Sequence, residues 1–215
     1  MNPLRYGPRA LLVECESPDQ VAAFHAELLR RRTAGSLPPV EDLVPAELTV
    51  LIDGLDDPAA FAADLGNWDL GGDSQVQQGE RAATPAPDPL VIPVVYDGPD
   101  LDHVAELWQT SPAEVVTIHS GFEYLVAFCG FAPGFAYLTG LPQQYQLPRR
   151  NTPRTAVPTG SVAVAGPYTG IYPRPSPGGW HLLGRTDAPL WDLGRPDPAL
   201  LVPGTRVRFE ARATQ

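Results

Sequence analysis

Apolar residues fall at helical spacing near the start of the chain, directly after a short apolar run. The run Ala10–Cys15 is typical of a strand, and Ser17-Pro18-Asp19-Gln20 is a capping box with proline at the first helical position. Gly35 ends the predicted helix. The positions between them keep the helical period, namely Val21, Phe24, Leu28 and Leu29.

A second strand and a second helix follow in the same order. Leu48–Ile52 is predicted to be the strand, and Asp57-Pro58 opens a short helix that Gly66 closes. This order predicts a small N-terminal α/β layer domain, residues 1–84, in a chain of the α+β class. The domain ends in the segment Gly71–Pro89, where alternating prolines are typical of a stiff linker, namely Pro85, Pro87 and Pro89.

The remaining residues, 85–215, consist of short apolar segments between Pro and Gly turns. Leu90–Tyr96 is predicted to be a strand with Pro93 at an edge or a bulge, and Tyr124–Cys129, apolar on both faces, to be a buried strand. Two short helices are expected between them, at Leu101–Trp108 and after the capping box that begins at Ser111. Further strands are predicted at Ser161–Ala165, Thr169–Tyr172, His181–Arg185 and Arg206–Arg212, the last with Val207, Phe209 and Ala211 facing inward. This spacing predicts a closed or nearly closed β-barrel.

Composition narrows the chemistry that the chain can perform. All 15 residues counted as Lys or Arg are arginine. Without lysine, the chain supplies no Schiff base, no P-loop lysine and no biotin-attachment site, so ATP, pyridoxal phosphate or biotin would depend on a partner. The net charge of -10 argues against nucleic-acid binding, which depends on cationic side chains.

Targeting and redox features predict a soluble cytoplasmic protein. The N-terminus has no apolar signal-peptide core, and no apolar run reaches the length of a membrane span. Cys15 and Cys129 lie far apart and outside any C-x-x-C pattern, which favours reduced thiols. Because the histidines and cysteines show no ligand spacing, no metal site is predicted.

The candidate chemistry lies in an acid-free stretch from Tyr124 to Thr186. Guanidinium groups bind carboxylate or phosphate in bidentate geometry, so a stretch with arginines and without acids favours an anionic ligand. The alternative, that these arginines are solvated or pair with acids of the N-terminal half, stays open. The arginines of the stretch are Arg149, Arg150, Arg154, Arg174 and Arg185.

Two glycine-rich segments lie inside the acid-free stretch. Gly130–Leu138 places Pro133-Gly134 between aromatic residues and is predicted to be a shaped loop, neither strand nor helix. In Ser176–Trp180, consecutive glycines allow backbone amides to converge on a carboxylate beside Trp180. An ordinary hairpin with a core tryptophan is the alternative interpretation of the second segment.

His119 is expected at the barrel rim, because it ends a predicted helix just before the buried strand. There it would act as a general base or an anion ligand, or it would cap the helix C-terminus. No nucleophile elbow and no paired carboxylates accompany it, and Glu123 is the nearest acid in sequence. The pattern therefore indicates a site that binds and orients an anion and that a partner completes.

These segments together resemble one protein family. The motifs are Gly130-Phe131-x-Pro133-Gly134-Phe135-x-Tyr137-Leu138, Pro148-Arg149-Arg150, Pro153-Arg154, Gly160-Ser161-Val162, Ile171-Tyr172-Pro173 and Ser176-Pro177-Gly178-Gly179-Trp180. In this order they resemble the KipI/PxpB family, also called allophanate hydrolase subunit 1 or the B component of 5-oxoprolinase. The resemblance extends to Asp100-Leu101, His119 and Gly184-Arg185-Thr186, and it covers nearly the whole chain.

The resemblance implies a fold, a complex and a set of site residues. The fold would be a cyclophilin-like β-barrel after the N-terminal domain, similar to part of the carboxyltransferase region of urea carboxylase. The complex would be the ATP-dependent 5-oxoprolinase, which opens 5-oxoproline to glutamate and in which this chain works with a KipA/PxpC-type and a LamB/YcsF (PxpA)-type subunit. His119 and Arg154 are the implied catalytic residues. The implied substrate-binding residues are Phe131, Pro133, Gly134, Tyr137, Arg149, Ser161, Ser176, Gly178, Gly179 and Trp180.

Two other functions stay open within the same resemblance. A KipI-like inhibitor of a sensor histidine kinase would bind the helical bundle of the kinase through an apolar groove on the barrel. Subunit 1 of an allophanate or urea-derivative amidohydrolase or carboxyltransferase would need a biotin-carrying or amidase partner. The chain departs from the family pattern in the short segment after Tyr96 and at His181, where an amide or another polar residue is expected.

Overall fold

The computed structural model describes residues 1–68 and 88–213. Its contacts divide the chain into two compact units, Met1–Ala86 and Pro87–Gln215. The predicted boundary after residue 84 and the linker prolines Pro85 and Pro87 lie outside the described residues. Within the described ranges, no helix has both the length and the apolar character needed to cross a membrane.

The N-terminal unit is a small layer of two helices on an antiparallel sheet. Its elements are β1 Asn2–Arg5, β2 Leu11–Glu14, α1 Pro18–Thr33, β3 Asp42–Pro45, β4 Thr49–Asp53 and α2 Pro58–Leu65, with the strands in the order β1-β2-β4-β3. Both helices begin at the predicted caps, since Ser17 accepts the Gln20 amide at 3.2 Å and Asp57 accepts two amides of α2. Side chains of both layers form one core, among them Val13, Phe24, Leu28, Val50 and Ile52.

The sequence pattern does not predict β1 and β3, the two edge strands. Each has four residues and contains a proline, Pro3 or Pro45, which a strand accepts at a sheet edge. Pairing with the central strands makes them part of the sheet, as the partners Leu4↔Leu12 and Leu43↔Ile52 show.

The second unit is a closed β-barrel with two helices. Its elements are β5 Leu90–Val95, α3 Leu101–Leu107, α4 Pro112–Gly121, β6 Glu123–Cys129, β7 Ala136–Thr139, a 3₁₀ turn at Gln143–Tyr145, β8 Arg154–Val157, β9 Ser161–Ala165, β10 Tyr168–Ile171, β11 Ser176–Gly178, β12 His181–Arg185 and β13 Arg206–Arg212. The barrel order is β10-β7-β6-β13-β5-β12-β9, and β9 closes it by pairing with β10. Strands β8 and β11 form a separate two-stranded sheet. The predicted α+β class, with a small layer unit before a barrel, is confirmed.

The barrel strands present two different apolar faces. All seven strands contribute to one interior core, which includes Ile92, Val94, Tyr124, Val126, Leu138, Val164, Ile171, Leu183, Val207 and Phe209. Alternate residues of five strands form a second cluster, which includes Phe128, Ala163, Ala165, Tyr168 and Leu182. Because successive side chains of a strand point to opposite faces, the second cluster lies on the outer wall of the barrel.

Several details of the predicted strands are wrong. Leu125 is 44% exposed, so β6 is buried on one face only, and Ala211 is exposed although its position in the strand predicts an inward side chain. The loop expected over Gly130–Leu138 ends early, because β7 begins at Ala136 and pairs with β6. Ser176–Gly178 pairs with β8 as a strand and is not part of a turn. Local pattern misses these features because they depend on pairing and burial against neighbouring strands.

The predicted position of Pro93 fits the barrel. Strand β5 pairs along its length with β13, and its one ladder position with β12 in the described part of the chain is Val95↔Arg185. Pro93 therefore lies where one side of β5 carries no ladder, the location that suits a residue without an N–H group.

Candidate functional site

Six aromatic side chains pack on the outer face of the barrel, and we call this set the aromatic wall. Phe135 lies at its centre, and its ring centroid is 5.0 Å from that of Tyr137, 5.4 Å from Tyr172 and 5.6 Å from Trp180. These rings meet edge to face, the arrangement that aromatic quadrupoles favour. The members of the wall are Phe128, Phe135, Tyr137, Tyr168, Tyr172 and Trp180.

Two glycines make room for the aromatic wall. A Cβ atom on Gly170 would lie 3.0 Å from both Phe135 Cζ and Trp180 Cζ3, and one on Gly178 would overlap the hydroxyl of Tyr172. Gly179, the next residue, accepts the Arg150 amide with its carbonyl at 2.7 Å. The glycines expected to present amides to a carboxylate thus pack against Tyr172 and hold the arginine segment.

Asp100 gathers two of the candidate arginines. One carboxylate oxygen, Oδ1, accepts from Arg150 Nη1 at 2.6 Å and from Arg154 Nη2 at 2.7 Å, and Oδ2 accepts the Leu182 amide at 2.7 Å. Asp100 itself is 3% exposed. Burial raises the pKa of this carboxyl, but the hydrogen bonds from Arg154 and the Leu182 amide, with the charges of both arginines, bring the pKa below its usual value. Asp100 is therefore ionised at neutral pH and is a fixed anion at the centre of the cluster.

The arginine cluster keeps a positive charge and spare donors. Two guanidinium groups share the single charge of Asp100. Among the described residues, no acceptor meets the buried Arg150 Nε or Arg154 Nη1. Pairing with an acid from the N-terminal half, the alternative left open by the sequence, is observed for Arg150 and Arg154 with Asp100, and for Arg185 with Asp97 at 2.9 Å. Arg149 and Arg174 are exposed.

Arg149 is held by the peptide groups on both of its sides. His181 Nε2 lies 3.0 Å from the Pro148 carbonyl, which only accepts, so this nitrogen carries the proton. On the other side, the Arg150 amide donates to the Gly179 carbonyl. Burial lowers the pKa of His181, and His103 and Arg150 lower it further, while the Pro148 bond and Asp100 oppose the shift. A neutral His181 therefore fixes the backbone that presents the Arg149 guanidinium to solvent.

Arg149 and Arg154 both act on Tyr172 of the aromatic wall. Burial raises the pKa of the Tyr172 hydroxyl above its usual value, and the positive charges of Arg149 and Arg154 oppose that shift. The phenol thus lies within electrostatic range of both guanidinium groups. A cationic edge beside an aromatic surface suits a small ligand with a carboxylate and an apolar ring.

Phe131 lies between the aromatic wall and a cavity. Its ring is 5.3 Å from Phe135 and 6.3 Å from Tyr172, yet its side chain is 58% exposed. On its other side is an apolar cavity of about 430 Å³ that is lined by residues 129–134, Trp191, Ala199 and Leu201. The predicted substrate-binding residues Pro133 and Gly134 line this cavity, and Arg149, Tyr137 and Trp180 belong to the other side.

His119 does not lie at the barrel rim. Its side chain is fully buried in the interior, with ring centroids 4.7 Å from Phe209 and 5.4 Å from Tyr124. Tyr96 Oη is 2.7 Å from Nδ1, and Thr169 Oγ1 is 3.4 Å from Nε2. Burial lowers the pKa of His119 to about 3. The expected rim position is wrong, because a neutral ring enclosed by the interior core does not contact an anion at the barrel surface.

The two candidate serines have structural positions. Ser176 Oγ donates to the Arg174 carbonyl at 3.1 Å and so stabilises the backbone at the start of β11. Ser161 is 5% exposed at the start of β9, and its carbonyl accepts the Tyr172 amide at 3.0 Å. Asp100 and Tyr172, which the family motifs contain, have clearer roles than either serine, but only the folded structure shows them.

The arrangement can bind a small anionic ligand. It offers cationic donors, an aromatic surface and an apolar cavity. Within residues 1–68 and 88–213, no group of three His, Cys, Asp or Glu side chains is placed to hold a metal ion. The buried His119 and the carbonyl-bound His181 are occupied by structural hydrogen bonds.

A family model and a curated relative match nearly the whole chain. The family described as carboxyltransferase domain, subdomain C and D, matches residues 1–201. A protein of Escherichia coli O157:H7, named as the B component of 5-oxoprolinase, is 39% identical over 94% of this chain and 92% of its own length.

Solved structures extend the comparison. The crystal structure of TTHA0988 is 36% identical with a TM-score of 0.72 over 96% of this chain, which spans only 41% of the TTHA0988 chain. The Kluyveromyces lactis urea carboxylase shares the fold, with a TM-score of 0.64 at 18% identity over 98% of this chain and 22% of its own.

Proposed function

The chain belongs to the family of carboxyltransferase subdomains C and D, and from that premise we propose that it is the B component of an ATP-dependent 5-oxoprolinase. The observation that carries the proposal is the 39% identity, over 94% of the chain, with a protein named for that role. In this proposal the complex adds water across the lactam amide of 5-oxoproline to give L-glutamate, while ATP is hydrolysed to ADP and phosphate. This chain binds and orients the anionic substrate.

The geometry of the site supports a substrate of this class. 5-Oxoproline is a small lactam ring that carries one carboxylate and two methylene groups. Arg149 is an exposed guanidinium on a fixed backbone, and it faces the carboxylate of the substrate in a bidentate pair. Tyr172 and Phe131 provide the aromatic surface against which the methylene groups pack.

The roles within the complex follow from what this chain can supply. It has no lysine and so no P-loop, and in this proposal the ATP phosphates bind to other subunits. We assign that part to a KipA/PxpC-type and a LamB/YcsF (PxpA)-type subunit. Two residues are implied to be catalytic. Arg154 pairs with Asp100 beside Arg150, so the cluster has two positive charges and one negative charge. His119 belongs to the barrel core.

The test is glutamate release from 5-oxoproline and ATP. The chain is assayed alone, with each partner subunit and with both, and activity is expected only in the full mixture. Arg149→Gln is expected to raise KM at least tenfold in that mixture, since a hydrogen bond to a charged group contributes about 1.5–3 kcal/mol. Arg208→Gln is the matched control, because Arg208 is an exposed arginine on β13, a strand that contributes nothing to the aromatic wall.

An inactive full mixture whose subunits still bind one another would refute the oxoprolinase proposal. The kinase-inhibitor and urea-derivative functions would then come forward. Equal KM values for Arg149→Gln and Arg208→Gln would not affect the proposed reaction, but they would show that Arg149 does not bind the substrate.

A further inference from the structure

Large apolar side chains are exposed together beside the aromatic wall, and we call this set the Trp191 surface. Phe131 and Trp191 are 58% and 42% exposed, and both line the 430 Å³ cavity. Leu193 and Val202, on the same connection between β12 and β13, are 79% and 45% exposed. Leu193 and Val202 lie within two residues of the cavity residues Trp191 and Leu201, and grouped exposed apolar side chains mark an interaction site more often than scattered single residues do.

The loop that carries Trp191 and Leu193 is held by its own hydrogen bonds. Trp191 and Ala199 form a β-bridge, and the Asp192 amide donates to the Pro198 carbonyl at 2.9 Å. Arg195 Nη2 donates to the carbonyls of Pro189 and Pro198 at 2.8 and 2.9 Å. The exposed side chains therefore stand on an ordered scaffold, which reduces the entropy that binding would cost.

Folding of this chain does not use these side chains. On the same connection, Leu190, Leu200 and Leu201 point into the interior core, while Trp191 and Leu193 point away from it. Burying apolar area is worth about 25 cal/mol per Å², so the exposed side chains forgo stabilisation that a partner surface would supply.

The backbone conformation of Phe131 is a second, independent indication of an interaction site. Its φ angle is 69°, in the left-handed region that bulky residues avoid, and such a conformation costs roughly 1–3 kcal/mol. The strain places a mostly exposed aromatic ring between the cavity and Tyr172. Strain that gains no burial within the chain is typical of a residue that acts on a partner or ligand.

We propose that the Trp191 surface docks the KipA/PxpC-type subunit, the polypeptide that carries the rest of the carboxyltransferase domain. The inference rests on the proposed function. The matched family describes subdomains C and D of a carboxyltransferase domain, so a subunit that carries other subdomains would complete that domain. In TTHA0988 the matched part is 41% of one chain, so there a unit of this kind is covalently joined to further polypeptide.

Charge selects this occupant over a second copy of the chain. The loop carries three exposed aspartates, Asp187, Asp192 and Asp197, and its one arginine, Arg195, donates to two carbonyl groups and pairs with Asp192 at 3.9 Å, which leaves the loop with a net negative charge. Self-association would bring these acids together in a chain of net charge -10. The surface fits an apolar projection flanked by basic side chains.

Docking at this surface divides the implied substrate-binding residues into two groups. Pro133 and Gly134 face the partner, because they line the cavity with Trp191. Phe131 contacts both sides, since its ring also meets Phe135 and Tyr172. A docked subunit would therefore border the aromatic wall at Phe131 and add its own groups beside Arg149.

Binding of the purified KipA/PxpC-type subunit from the same organism tests the inference without any catalytic assay. Leu193→Asp is expected to weaken binding and to raise the dissociation constant at least 30-fold, the scale of an interface hot spot. It leaves thermal unfolding unchanged, because Leu193 is 79% exposed. Leu107→Asp, the same change at a 46% exposed position on α3, is the matched control and is expected to bind within twofold of the wild type. Trp191 emission is expected to shift to shorter wavelength on binding, and Trp191→Phe removes that shift.

Three results would overturn the inference. Equal binding by Leu193→Asp and Leu107→Asp would show that the subunit docks elsewhere. Loss of a wild-type dimer in Leu193→Asp, seen by light scattering, would assign the surface to a second copy. If Leu193→Asp lost binding to the LamB/YcsF-type subunit but kept binding to the KipA/PxpC-type subunit, the Trp191 surface would be assigned to the LamB/YcsF-type partner. Since none of these measurements uses 5-oxoproline, failure of the docking inference and failure of the oxoprolinase proposal remain distinguishable.

Discussion

At the scale of single residues, the placement of Arg149 depends on side chains that do not face a ligand. The His181 ring holds the Pro148 carbonyl, and the Gly179 carbonyl holds the Arg150 amide. The Arg150 guanidinium is also held, because it donates to Asp100. The departure from the family pattern at His181 therefore has a local reason, since a ring N–H reaches the Pro148 carbonyl.

Replacing His181 tests this positioning role. His181→Leu is expected to raise KM for 5-oxoproline about fivefold to tenfold with little change in kcat, because the Pro148 carbonyl loses its protein donor and the Arg149 backbone loosens. His181→Gln is expected to restore most of the affinity, since its amide Nε2 can donate to the same carbonyl. Steady-state kinetics of the full complex measures both. Identical defects in the two variants would contradict a role that depends on this hydrogen bond.

At the scale of elements, side-chain alternation on the barrel strands separates the site from the core. The ladder between β6 and β7 shifts between Val126 and Phe128, and this irregularity moves Phe128 to the outer wall while Val126 stays inside. On β10, Gly170 faces the wall and leaves space for two rings. The wall therefore depends on one bulge and on the missing side chains of Gly170 and Gly178.

Gly170→Ala tests how closely the aromatic wall is packed. The added methyl group would lie 3.0 Å from Phe135 and Trp180 ring atoms, and overpacking of this kind typically costs 1–3 kcal/mol, so we expect about 2 kcal/mol less stability. Gly121→Ala is the matched control, because its Cβ would meet open space at the end of α4, and it is expected to be neutral or slightly stabilising. Urea unfolding compares the two. Equal stabilities would show that the wall yields to the methyl group.

At the scale of the whole barrel, a polar circuit joins elements from both halves of the unit. Tyr96 Oη donates to His119 Nδ1, His119 Nε2 donates to Thr169, Thr169 bonds Tyr124, and Tyr124 Oη donates to the His119 carbonyl at 2.9 Å. These residues lie next to β5 and on α4, β10 and β6. In this assignment every donor of the circuit has an acceptor, which offsets the cost of burying polar groups.

The circuit predicts a pH dependence of stability. The pKa of His119 is about 3 in the folded chain and about 6.5 when unfolded, so the unfolded state binds more protons between these values. Its contribution to stability is complete above about pH 6.5 and falls by up to ~1.4 kcal/mol per pH unit below it. His119→Gln has no such group, so the wild type is expected to lose about 2 kcal/mol more than the variant between pH 7 and pH 5. Urea unfolding at each pH checks this, and parallel losses would contradict it.

Much of the architecture follows from local pattern. The caps at Ser17 and Asp57 and the helices they open are set by interactions within a few residues, and the barrel strands with clear apolar runs are visible in the sequence as short hydrophobic segments. Short strands such as β1, β3, β8 and β11 are different, because they are defined by the hydrogen bonds of the strand that pairs with them and not by their own side chains. Their own residues carry no periodic signal.

The candidate site divides along the same line. Residue type and motif order by themselves determine the family, the acid-free arginine stretch and the absence of lysine, because these are properties of the chain and not of its path. Only the tertiary structure decides which face each side chain takes: it encloses His119, pairs Arg150 and Arg154 with Asp100, and leaves Arg149 exposed. The physical reason is that burial and ion pairing depend on distances across the barrel, and these distances are set when its strands close.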